Sequence, residues 1–238
     1  SENTNIDLEQ NESDSLYSTY GQEMMLGHFD PAEHEDYLLI DPKYADREGM
    51  YIHQDTYEAF KKMHDAALKD SVKLTIRSAT RNFDYQKGIW ERKWNGETKI
   101  DGEDISQTIA DPVDRALKIL EYSSMPGTSR HHWGSDIDLN SFNNEWFAGE
   151  GRKLWDWLEN HAASYGFCRP YTAKGAERPD GYEEERWHWS YVPLSSYFMS
   201  MAEEKHNDRK IQGFAGAEVA SEINVVENYV FGVNEECF

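Results

Sequence analysis

Apolar positions at Phe60, Met63, Ala67 and Leu68 recur at the spacing of one helical face, and Asp55 followed by Glu58 resembles a capping box ahead of them. A helix of about four turns is therefore predicted from residue 55. The segment 72–77, VKLTIR, alternates apolar and polar side chains and is rich in β-branched residues, the pattern of a strand. A second helix carries Phe83, Trp90 and Trp94, and residues 95–104 form a polar loop. Asp111 before Pro112 gives an N-cap followed by proline at the first helical position, with Val113, Ala116, Leu117 and Leu120 as the apolar face. DIDLN, starting at Asp136, has the look of a short strand. Leu154, Leu158, His161 and Tyr165 mark another helix, which Gly166 stops. The stretch ERWHWSYVP at 185–193 is aromatic and strand-like, and Val219, Ile223, Val226 and Val230 suggest a last helix. Residues 20–54 read as loop-rich. Helices and strands interleave without a βαβ rhythm, which places the chain in the α+β class.

The 238 residues show no internal repeat and no second domain boundary, so a single domain over 20–238, ending in a helical extension, is expected. Residues 1–19 are polar, acidic and poor in large apolar groups, the composition of a disordered arm or tether. A net charge of −21 would repel a phosphate backbone and excludes nucleic acid as a natural partner. No apolar run approaches the roughly 18–20 residues of a membrane span, so no transmembrane segment is expected. Cys168 and Cys237 are too few for a disulfide framework and are not spaced as zinc ligands. They are either one bridge pinning the C-terminus or two free thiols.

Candidate chemistry concentrates in SRHHWGSDID, residues 129–138, where two imidazoles and two carboxylates flank Gly134. A catalytic zinc site takes about three protein ligands and leaves a position for water. On a strand Asp136 and Asp138 would share one face, so spacing alone allows either as ligand. The competing reading is a polar loop with solvated histidines. Among the other histidines, His28, His34 and His206 lie in polar, acidic stretches expected at the surface, and His53, His64 and His161 sit in or beside helices. His188 stands apart, between Trp187 and Trp189 and just after three glutamates, where it is either a ligand or a hydrogen-bonded core histidine.

Taken together, these segments resemble the VanY-like branch of the zinc D-alanyl-D-alanine carboxypeptidases among the LAS-type peptidases. The family motif S-x-H-x-x-G-x-A-x-D is matched by Ser129, His131, Gly134 and Asp138, and E-x-x-H-W by Glu185, His188 and Trp189. The family's S-G-Y-R-S segment with a following glutamine is matched by Ser78, Arg81 and Gln86. The resemblance implies a small antiparallel sheet carrying the metal site, flanked by helices, with Zn²⁺ on His131, Asp138 and His188. It implies Glu185 as general base, Arg81 for the oxyanion or a terminal carboxylate, Ser129 for the substrate's C-terminal end, and Gln86 positioning the peptide. The implied reaction is release of the terminal D-alanine from peptidoglycan stem peptides in the cell envelope, periplasmic or extracellular, with the arm as a tether to the membrane, for instance through a lipid. An L,D-carboxypeptidase or endopeptidase on the same scaffold, or a non-catalytic cell-wall-binding metal module, are the alternatives.

Arg81 could instead pair with Asp84 or a helix end, and Ser129 could be only a turn residue. Glu183 and Glu184 read as a solvated run, His132 as a supporting or packing residue, and Trp133, Trp187 and Trp189 as walls. Residues 185 and 188 would face opposite sides of a regular strand, so a turn or bulge is expected near Glu185. Ala79 and Thr80 replace the family's Gly-Tyr. Asp136 stands where the motif has alanine; it could orient a ligand or raise the local negative charge.

Overall fold

The structure, a computed structural model, describes residues 16–238. Residues 1–15 of the expected arm lie outside that range, while Tyr17 is buried and donates to Asp55 Oδ2 at 2.8 Å. Among the described residues no helix is long and apolar enough to cross a membrane.

Strands β1 (Tyr37–Leu39) and β2 (Tyr51–His53) pair antiparallel within the segment read as loop-rich. Helix α1 (Gln54–Lys69) follows directly and buries Phe60, Met63 and Ala67. Each large side chain so buried contributes roughly 1.5–3 kcal/mol. Leu68, predicted on that face, is exposed. The cap also differs from expectation, because Asp55 is engaged by Tyr17. His53 caps the helix instead, its Nδ1 accepting from the Asp55 amide at 3.1 Å.

A four-stranded antiparallel sheet forms the centre, in the order β3 (Ile76–Ser78), β4 (Asp136–Leu139), β6 (His188–Tyr191), β5 (Phe167–Cys168). Strands β4 and β6 alternate strictly, while a register shift between Ile76 and Ser78 in β3 sets those two residues on opposite faces. Ile76, Ile137, Leu139, Phe167 and Trp189 join one hydrophobic core with α1 and with α4 (Arg152–His161). The intervening residues Ser78, Asp136, Asp138, His188 and Ser190 share the other face. Register sets Asp138 opposite His188 and Asp136 opposite Ser190.

Helix α2 (Phe83–Trp94) is capped by Asn82, which was not anticipated, and α3 (Pro112–Ile119) by Asp111, which was. On α3 the buried positions are Ala116 and Ile119, followed by Leu120, whereas Leu117 is exposed. Val192 and Pro193 do not extend the strand but open α5 (Val192–Lys205). The expected last helix is broken at Asn224, which adopts a left-handed φ of 54°, although Val219, Ile223, Val226 and Val230 are all buried. Cys168 and Cys237 form a disulfide, settling the open pairing.

Candidate active site

Gly134 makes the site's local geometry possible. Its φ of +75° and the 2.4 Å that would separate a Cβ from the Tyr37 ring exclude any side chain there. The chain thereby turns from a short 3₁₀ turn at Arg130–His132 into β4.

His131 on that turn, Asp138 on β4 and His188 on β6 bring one ligand atom each within 4.8 Å of one another. Their exposures are 2, 4 and 3 %, so the cluster is withdrawn from bulk water. His131 Nε2 lies 3.3 Å from Asp138 Oδ2, and His188 Nδ1 lies 3.5 Å from Asp138 Oδ1. The remaining ring nitrogens are spoken for. His131 Nδ1 donates to the Ala79 carbonyl at 2.8 Å, and His188 Nε2 donates to Asp136 Oδ2 at 2.8 Å. Each ring therefore directs its other nitrogen at the common centre. Asp138 Oδ1 is buried with no hydrogen-bond partner. A buried carboxylate set between two imidazoles, one of its oxygens unpartnered, fits a divalent cation with mixed nitrogen and oxygen preference.

Glu185 is 6 % exposed, and its Oε2 lies 3.0 Å from His188 Nδ1. The expected turn is present: the His188 amide donates to the Glu185 carbonyl at 3.4 Å, so both side chains face the centre. Burial pushes the Glu185 carboxyl above its ordinary value, with the hydrogen bond to His188 opposing. For His188 burial disfavours the charged ring, but the bonds to Asp136 and Glu185 outweigh it and raise the pKa to about 9. Burial lowers the pKa of His131.

Arg81 pairs with none of the partners that compete in sequence. Its Nη1 lies 3.6 Å from Asp138 Oδ2 and donates to Ser78 Oγ at 2.6 Å, and its Nε donates to Gln86 Oε1 at 3.0 Å. Gln86, 1 % exposed, also donates to the Ser124 carbonyl at 2.9 Å, so it orients Arg81. His132 supports the same residue from behind, donating from Nδ1 to the Arg81 carbonyl at 2.6 Å while Nε2 accepts from the Gly127 amide. Burial lowers its pKa to about 3. Ser129 is buried, and its hydroxyl accepts from the His131 amide at 3.3 Å, the role of a turn residue.

Arg81, His131, Asp138, Glu185 and His188 line a cleft of about 910 Å³. Trp187 walls it, flanked by the half-exposed rings of Tyr122 and Phe142. Trp133 and Trp189 are buried behind the site. Glu184 pairs with Arg169 and Arg186, and Glu183 with Lys174. His206, expected at the surface, is buried on the Gly127 carbonyl.

Arg130, Ser190 and Tyr171 were not anticipated. Arg130 Nε donates to Asp136 Oδ2 at 3.0 Å and its Nη2 to Ser190 Oγ at 2.8 Å. Tyr171 packs edge-on against the His188 ring at 4.8 Å between centroids. A signal for Arg130 existed: a carboxylate in place of the motif's alanine, on a buried strand, requires a countercharge.

A family model described as VanY, D-alanyl-D-alanine carboxypeptidase, matches residues 49–194. YodJ of Bacillus subtilis, named as a carboxypeptidase, is 29 % identical over 189 residues, covering 77 % of this chain and 62 % of its own length. A D-alanyl-D-alanine carboxypeptidase of Enterococcus faecalis is 28 % identical over 134 residues, covering 56 % of this chain and 46 % of its own. The chain thus spans about half to three-fifths of these relatives. Among solved structures, the LdcB LD-carboxypeptidase superposes with a TM-score of 0.53 at 25 % identity, over 72 % of this chain and 74 % of that one. VanYB, solved with D-alanine-D-alanine, gives 0.51 at 23 % identity over 73 % and 87 %, a likeness of fold.

Proposed function

This chain belongs to the VanY family of D-alanyl-D-alanine carboxypeptidases, and from that premise we propose that it is a zinc-dependent peptidase releasing the terminal D-alanine of peptidoglycan stem peptides. The observation that carries the proposal is the convergence of His131, His188 and Asp138, whose Oδ1 is unpartnered, beside a buried glutamate. When bound, zinc supplies a Lewis acid to polarise the scissile carbonyl and lowers the pKa of a water toward about 7.

The chain's own residues supply the rest. Glu185 takes a proton from the attacking water and returns it to the leaving amine; burial raises its proton affinity and suits it to both steps. Arg81 is held by Ser78, Gln86 and Asp138 with its guanidinium at the cleft. There it meets the developing oxyanion or the substrate's terminal carboxylate. Gln86 acts by aiming Arg81, and Ser129 by capping the turn that presents His131. Trp187 with Tyr122 and Phe142 offers an apolar wall for the rest of the stem.

The Cys168–Cys237 bridge agrees with an oxidising compartment, as expected where peptidoglycan lies. A tether through the part of the expected arm that precedes residue 16 belongs to the same proposal, since Tyr17 is packed into the fold.

The test is incubation of zinc-loaded protein with stem pentapeptide, tetrapeptide and crosslinked fragments, with released D-alanine followed by mass spectrometry. D-alanine from the pentapeptide, abolished by chelation and restored by zinc, is expected. A folded, zinc-loaded protein that leaves every D-alanine-ended stem intact overturns the proposal. The likeness to the LdcB LD-carboxypeptidase favours an L,D-carboxypeptidase as second reading, for which the tetrapeptide would be the preferred substrate.

A further inference from the structure

The face of the sheet that carries the metal ligands also holds a buried ion pair with no counterpart in the family motif. Asp136 is fully buried and Arg130 is 1 % exposed. Asp136 Oδ2 accepts from Arg130 Nε at 3.0 Å and from His188 Nε2 at 2.8 Å, so the carboxylate joins guanidinium and imidazole. Its Oδ1 accepts from Ser135 Oγ at 2.5 Å and Ser190 Oγ at 2.8 Å. Arg130 also reaches Ser190 with Nη2, closing a ring of bonds, and its guanidinium lies over the Trp133 ring. The carboxylate therefore has no freedom to rotate away from His188.

We propose that Asp136, clamped by Arg130, Ser135 and Ser190, is a positioning residue that fixes the orientation and tautomer of His188 so that Nδ1 faces the metal. The inference rests on the metal-centre reading given above. A carboxylate can only accept, so Nε2 keeps its hydrogen toward Asp136, while Nδ1, which faces Glu185 Oε2 at 3.0 Å and Asp138 Oδ1 at 3.5 Å, is the nitrogen that gives up its proton when a cation binds. His131 obtains the same service from a neutral backbone carbonyl, that of Ala79. A charged acceptor makes a shorter and stronger bond and raises the basicity of the ligating nitrogen. The other role considered for this side chain, extra negative charge, is cancelled by Arg130. Around the centre Asp136, Asp138 and Glu185 face Arg130 and Arg81, three carboxylates against two guanidiniums.

The experiment compares zinc affinity, by competition with a chromophoric chelator, among wild type, Asp136→Asn, and the double variant Asp136→Ala with Arg130→Leu. The double variant removes both buried charges together and so leaves no unpaired ion to unfold the sheet. Affinity is expected to fall roughly 10–100-fold in the double variant and less in Asp136→Asn, which keeps an acceptor. Folded variants that bind zinc within about twofold of wild type would overturn the inference and leave the metal centre standing. Wild type that binds no zinc would overturn the metal centre itself. Should the double variant not fold, ¹⁵N-resolved imidazole spectra of the zinc-loaded wild type decide. A His188 hydrogen on Nε2 supports the inference, and one on Nδ1 refutes it.

Discussion

Breaking the Cys168–Cys237 bridge should cost the fold much of its stability and loosen one wall of the cleft. The two cysteines are 69 residues apart, so the bridge closes a long loop. In the chain-entropy account a loop of that length removes enough freedom from the unfolded chain to stabilise the native state by about 4 kcal/mol at 25 °C. The C-terminal segment it pins is not idle. Asn234 donates from its amide to the Pro170 carbonyl at 2.9 Å, and Tyr229 packs on Tyr182 at 5.1 Å between centroids. Tyr182 in turn lines the cleft, whereas the proposed metal ligands sit on the 3₁₀ turn at Arg130–His132, on β4 and on β6, none of which carries a bridged cysteine. Urea unfolding of oxidised and reduced protein, with the Cys168→Ala, Cys237→Ala double variant as a check, measures the stability. A loss of about 4 kcal/mol is expected, together with a raised KM and little change in kcat. A loss below about 1 kcal/mol would refute the loop-closure reasoning, and a kcat that collapses with KM unchanged would refute the division between wall and centre.

Glu185→Gln should keep zinc binding and lower turnover about 10²–10⁴-fold, the usual range for a lost general base; undiminished turnover in the zinc-loaded variant would exclude Glu185 from that role. Gly134→Ala forces a side chain into the Tyr37 ring at a positive φ and should destabilise the protein by about 2–4 kcal/mol in denaturant titration. Acid should also weaken the fold through His53, whose pKa burial lowers from 6.5 to about 4. The unfolded chain takes up that proton more readily, so this stability is complete above pH 6.5 and is lost as pH falls toward 4. It amounts to about 3 kcal/mol. Unfolding midpoints of wild type and His53→Gln between pH 7.5 and 4.5 test it: the variant should respond less to pH, and equal slopes would contradict the assignment.

Much of this was visible in the residue order, and the exceptions have physical causes. The alternation Asp-Ile-Asp-Leu in β4 announces a strand with one apolar and one polar face, and the structure has that strand. The turn before His188 followed from Glu185 and His188 needing a common side. Helix α5 escaped notice because it is buried on nearly every face, Ser195 and Ser196 included, which erases the amphipathic stripe that betrays most helices. Its Pro193 read as a strand end but occupies the first helical turn. The β1–β2 pair spans only three residues per strand, too few for a period to emerge. In the site, Arg81 was readable as the motif arginine, but that Gln86 aims it and His132 backs it depends on contacts between segments distant in the chain.

Strict alternation in β4 and β6 divides labour at the level of single residues. Even-numbered positions from 136 to 138 and 188 to 190 face the candidate site, while odd-numbered neighbours such as Ile137 and Trp189 hold the domain together. A change on one set leaves the cohesion supplied by the other intact, so an aspartate can occupy the motif's alanine position without disturbing the apolar layer beneath it. The same arrangement makes these strands intolerant of insertion or deletion. One residue gained or lost would send carboxylates into the oil and aliphatics into the catalytic chamber, and chemistry and cohesion would fail together.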